Sequence, residues 1–141
     1  LSVIGAPGIV SRLAVGRLAD RVGVVRPFVA SATIMGVVPL VLPVASSEVT
    51  LLGLAALFGI GYGGADALLS PLVATMFQEA SVYSLLGVMS LAFALSGLLA
   101  PYLAGQSFDV LGSYVPAFLA VGLVGLCGSG VVLLAARSPT V

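Results

Sequence analysis

Four long apolar runs, at residues 28–44, 50–77, 84–108 and 116–136, constrain this chain more than any other feature. The hydrocarbon core of a bilayer is about 30 Å thick, and a helix crosses it with roughly 17 to 25 apolar residues. Each run is at least long enough to span, and short segments rich in Ser, Glu, Gln, Asp and Gly separate them. The runs are apolar on every face rather than alternating, so they predict helices and not the strands of a membrane β-barrel. Connections this short make neighbouring helices antiparallel. Residues 1–13 are also apolar but too short to span, and the chain begins with Leu inside an apolar run, without the basic start and cleavage site of a signal peptide. They read as the end of a truncated helix whose beginning lies upstream, followed by a loop over 14–27. The expected fold is an all-α integral membrane bundle of four full transmembrane helices plus the truncated one.

Composition closes off the soluble alternatives. Of 141 residues, 60% are hydrophobic and 7% charged, against about 25% charged in ordinary soluble domains. The mean hydropathy is +1.28. So few polar side chains cannot coat a globule in water, and the expected solvent is lipid, in a multi-pass cell-membrane protein. A net charge of zero offers no basic field for nucleic acid. There is no His and a single Cys127, which removes a disulfide and the usual zinc and His-based acid–base arrangements. We expect neither a cofactor nor an enzyme. Cys127 reads as a small packing residue.

Orientation follows from the arginines. Arg17, Arg21 and Arg26 precede the first full span and Arg137 follows the last, an even number of crossings away, so both ends are expected in the cytoplasm. The segments assigned to the outside carry Glu48 and Asp109 and no basic residue. Small residues recur at spacings of four, at Gly59 and Gly63 and again at Gly97, Pro101 and Gly105, which suits close helix packing in lipid. Pro39, Pro43, Pro71 and Pro101 are candidate kinks.

The segment Gly16-Arg17-Leu18-Ala19-Asp20-Arg21-Val22-Gly23 resembles the G-x-L-A-D-R-x-G signature between the second and third, or eighth and ninth, helices of major facilitator superfamily (MFS) transporters. Val24 and Val25 stand where that family usually has two basic residues. Gly59-Ile60-Gly61-Tyr62-Gly63-Gly64, with Ala67, Leu68 and Pro71, is similar to the tenth helix of the monocarboxylate and oxalate:formate-type branch. Ala100-Pro101-Tyr102-Leu103-Ala104-Gly105, followed by Asp109, Gly112, Ser113 and Tyr114, resembles the end of that branch's eleventh helix, with Ala100 in place of a Gly. The resemblance covers nearly the whole chain and implies half of an MFS fold, the C-terminal half, since no Arg occupies residues 50–77.

What the resemblance implies is a secondary active transporter of a small solute, a symporter or antiporter working by alternating access, with a small organic anion of the monocarboxylate kind as the leading solute and a proton as candidate coupling ion. Its partners are the solute, the bilayer and the missing N-terminal half; its expected setting is a bacterial inner membrane. Drug or sugar efflux, or a degenerate non-transporting membrane module, stay open as alternatives. The branch has an Arg in the spacing R-x-x-x-G that serves an anion cavity, and Arg12 before Gly16 matches it; Gly8 replaces the branch's acidic residue four positions earlier. Asp66 lies mid-span with no basic residue near it in sequence, and an unpaired carboxylate in lipid favours its protonated form. Tyr62, one turn away, is a candidate hydrogen-bond partner for it or for the solute, and Gly64 and Ser70 are candidates to line the same cavity. Arg12, Tyr62 and Asp66 are thus the expected substrate-binding residues. Gly16, Arg17, Asp20, Arg21 and Gly23 are the expected gating motif, in which Gly16 admits a close helix approach, Gly23 a tight turn, and Asp20 faces a helix N-terminus.

Overall fold

Gly23, with φ of 85°, is the first of the described residues to leave helical geometry. In the computed structural model, which describes residues 2–77 and 79–137, every described residue before it belongs to one helix, α1 (Ser2–Val22). The loop expected over 14–27 is therefore a correction. Residues 14–22 hold several strong helix formers, Ala, Leu and Arg among them, and Gly16 alone does not break them. Charge at the end of a helix near water marks the membrane boundary rather than a loop. Only Gly23 and Val24 connect to α2 (Val25–Val41), and the Gly23 amide caps the α1 end on the Ala19 carbonyl at 2.9 Å. Gly tolerates the left-handed conformation such a stop requires.

α2 starts three residues before the expected run, with Pro27 in its first turn, where a missing amide costs nothing. It passes at Leu42–Val44 into a 3₁₀ turn containing Pro43. α3 (Glu48–Met76) starts at Ser47, whose hydroxyl accepts from the Thr50 amide at 3.1 Å, while Glu48 places a negative charge on the first turn. Cap and charge together account for the two residues gained over the expected start at 50. α4 (Glu79–Leu111) exceeds the expected 84–108 at both ends. No Gly or Pro interrupts 78–86, and the helix runs on until Gly112, at φ of 65°. The segment after it is a turn, as its Asp, Gly and Ser suggested: the Gly112 amide bonds the Phe108 carbonyl at 2.7 Å, and the Ser113 hydroxyl accepts from the Val115 amide at the start of α5 (Val115–Ala135).

Four segments, Val25–Val44, Glu48–Met76, Val82–Leu111 and Val115–Ala135, are long and apolar enough to cross a membrane. All the described regular structure is helical. α1 packs along α3, and α2 packs on both α3 and α5. α4 touches this group at its margin only, and none of its spanning window is buried against the rest.

The contacts that hold the group together are made by small residues. A Cβ on Gly36 would lie 2.9 Å from the Leu126 amide nitrogen of α5, and a Cβ on Gly61 would lie 2.9 Å from the Ser31 carbonyl of α2. In lipid, apolar side chains gain nothing by leaving solvent for one another, so backbone approach of this kind drives association. Buried hydroxyls add bonds across it. Ser11 of α1 donates to the Ile60 carbonyl of α3 at 2.6 Å. Cys127 is exposed on α5, so it is not a packing residue within this chain. A Cβ on Gly97 or Gly105 of α4 would likewise meet nothing of another helix within 4 Å.

Candidate functional site: an ion pair between α1 and α3

Where α1 crosses α3, Gly8 lies against Gly59 and Gly63. A Cβ on Gly63 would overlap the Gly8 carbonyl, and a Cβ on Gly8 would stand 3.2 Å from the Gly59 carbonyl. One turn further along each helix, four residues past Gly8 and three past Gly63, stand the two charges. The Arg12 guanidinium donates to the Asp66 carboxylate, Nη2 to Oδ2, at 2.8 Å. Among the described residues this is the one ion pair. Sequence reading treated Asp66 as unpaired, and that is corrected: its partner comes from 54 positions away in the chain, across a contact that only glycines permit.

The pair is not walled in. The two side chains keep 49% and 48% of their surface open, so about half of each is left uncovered by the rest of the chain. A lone charge at membrane depth costs several kcal/mol, and pairing the two removes most of that cost while leaving the face accessible. The arrangement can exchange partners: a carboxylate arriving from the open side meets a guanidinium with donors to spare, since Arg carries five N–H groups in a planar fork.

Other expected site residues fall in different places. Tyr62 is half-buried on α3, but the Asp66 carboxylate is taken by Arg12 and not by its hydroxyl. Gly64 faces Ser31 and Val15, so it serves packing and lines no cavity beside Asp66, while Ser70 is exposed. In the gating motif, Arg17, Asp20 and Arg21 are exposed on the last turns of α1 and form no ion pair among the described residues. Gly16 has nothing within 4 Å, so the close approach expected there is made by Gly8 instead. Gly23 does make the tight turn. Gly8 and Ser11 went unnoticed as binding-face residues. The available signal was that Gly8, Ser11, Val15 and Ala19 recur at helical spacing, a stripe of small side chains along one face of α1.

The sequence pattern of the Major Facilitator Superfamily matches residues 1–141. The chain is a member of the Major Facilitator Superfamily. Its curated relatives include a protein of Rattus norvegicus named monocarboxylate transporter 13, 32% identical over 135 residues, which are 94% of this chain and 32% of the relative. The protein of the same name from Bos taurus is 30% identical over the same shares. The chain thus spans about a third of the length of the curated relatives it matches. Membership in this family of membrane transporters agrees with the resemblance read from the signature segment, and with a membrane setting. Both relatives are mammalian, so they lend no support to a bacterial inner membrane.

Proposed function

We propose that the protein carrying this chain is a secondary active transporter that moves a small organic anion, a monocarboxylate, by alternating access together with a proton. The observation that carries the reading is the half-open Arg12–Asp66 pair bridging α1 and α3; the names of the mammalian relatives support the choice of anion.

Charge counting gives the mechanism. The empty site, guanidinium with carboxylate, is neutral. An anion added alone would leave one uncompensated negative charge at membrane depth, which is costly. A proton on Asp66 breaks the ion pair, frees the Arg12 fork for the solute carboxylate and restores neutrality. The loaded site then crosses between its two exposures at the same net charge as the empty one, one proton per carboxylate. Tyr62, one turn before Asp66, is the candidate hydroxyl for orienting the solute. Arg17, Asp20 and Arg21 act at the gate, engaging groups supplied by the other half of the transporter, with Gly16 and Gly23 shaping the end of α1. The cytoplasm lies on the arginine-rich side, where α1 and α5 end.

Uptake into proteoliposomes by the full-length protein, challenged in turn with short monocarboxylates, sugars and cationic drugs, tests the reading. Competition by monocarboxylates alone supports it. Competition by sugars or cationic drugs would move the protein to efflux of another solute class, and no uptake of any of them would favour a non-transporting module.

A further inference from the structure

At the end of the bundle where α1 stops, the α1–α2 junction at 22–26 and the end of α5 with the two residues after it line a cleft of about 490 Å³. Leu133 of α5 and Ala136 and Arg137, just past its end, line it on one side, and Arg26 lines it from the start of α2. Both arginines are exposed, and among the described residues neither enters an ion pair and no acidic side chain lines the cleft. This cleft lies outside the Arg12–Asp66 site: its arginines come from the start of α2 and from just past the end of α5, and both line this space.

We propose that the cleft binds the phosphate headgroup of an anionic glycerophospholipid. Its position supports a lipid over a dissolved ion. Val25 opens one membrane-crossing segment and Ala135 closes another, so the cleft sits at the border between hydrocarbon and water, where headgroups lie. Its lining is mixed in the sense a lipid requires: two guanidinium groups for phosphate oxygens, and Val22, Val24, Val25 and Leu133 for the glycerol and the first methylenes. Its volume would hold roughly sixteen waters at liquid density, much more than an inorganic phosphate needs. The N-cap of α2, Val24, contributes no capping side chain, and Pro27 has no amide, so the Val25 and Arg26 amides are the ones an acceptor could meet there. A headgroup held there would tie the α1–α2 turn to the end of α5.

The test is lipid retention by the full-length protein, purified from bilayers of phosphatidylcholine with phosphatidylglycerol and weighed intact by mass spectrometry. The R26Q/R137Q variant should lose phosphatidylglycerol affinity by roughly thirty-fold, about fivefold per arginine. R17Q/R21Q, which removes the same charge from the same end of the bundle outside the cleft, should retain most of it. Equal loss in the two variants would mean general attraction to a basic surface and overturns the proposal, as does undiminished retention in R26Q/R137Q. Displacement of the lipid by inorganic phosphate at millimolar concentration would assign the cleft to a soluble anion and also overturns it.

Discussion

Replacing Gly63 by alanine tests the packing on which the candidate site depends. The new Cβ would overlap the Gly8 carbonyl oxygen and lie 2.8 Å from both the carbonyl carbon and Cα of Gly8. Ordinary contact begins at 3.4 Å, so the backbones of α1 and α3 must part by about 0.6 Å or more. Overpacking of this order costs about 1–3 kcal/mol, against about 0.5–1 kcal/mol gained by putting Ala for Gly inside a helix. The net expectation is a loss of up to about 2.5 kcal/mol, toward the upper end because the Gly8 carbonyl oxygen is the nearest atom met. The same displacement along the ion pair would stretch its 2.8 Å contact to about 3.4 Å, beyond the usual hydrogen-bond range. Gly8→Ala should cost less, because its Cβ meets the Gly59 carbonyl at 3.2 Å. Gly53→Ala, with nothing within 4 Å, should be neutral or slightly stabilising. Unfolding in mixed micelles, followed by circular dichroism, should rank the proteins Gly53→Ala at or above wild type, then Gly8→Ala, then Gly63→Ala. A Gly63→Ala protein as stable as wild type would refute the close α1–α3 contact.

Three further expectations concern topology, gating and coupling. In a Cys127→Ser background, Ser47→Cys should react with an impermeant thiol reagent added outside cells and Val24→Cys only after the inner face is exposed; the reverse pattern would invert the arginine-based orientation. Asp20→Asn should lower maximal transport rate several-fold while leaving solute affinity near wild type, since the residue is assigned to switching between states and not to the solute; a pure affinity loss would reject that assignment. Asp66→Asn should flatten the pH dependence of uptake, because the amide cannot take up a proton; an unchanged profile would place proton coupling elsewhere in the protein.

The spans were legible because their signal is additive: twenty apolar residues in a row outweigh any local exception, and 50–77 or 116–136 needed no partner to be recognised. Their ends were less legible. Residues 14–22 looked like a loop because they are charged, yet Arg17, Asp20 and Arg21 sit on a helix whose stop is set by one backbone angle at Gly23. The site was half legible. Arg12 and Asp66 were singled out separately, each as a charge too costly to be idle in lipid. Their pairing depends on the crossing of α1 over α3, and that crossing depends on Gly8, which as a sequence feature showed only that an acidic residue was missing. The missing side chain at Gly63 and, less strictly, that at Gly8 let the two backbones meet and bring an acid from α3 to Arg12. The role of α4 stays outside such reasoning, because its apolar face meets almost nothing within this chain.

Arg12→Lys tests the central claim most directly. Lysine keeps the positive charge and the pairing with Asp66 in principle, but an ammonium cannot reproduce the planar two-point hold of guanidinium on a carboxylate. Losing one charge-assisted hydrogen bond costs about 1.5–3 kcal/mol, at least roughly a tenfold fall in transport efficiency. The measurement is initial uptake of a radiolabelled short monocarboxylate into proteoliposomes with an inward proton gradient, comparing wild type with Arg12→Lys at equal protein. A fall of tenfold or more in the variant is the predicted result; uptake equal to wild type would contradict an anion held by Arg12.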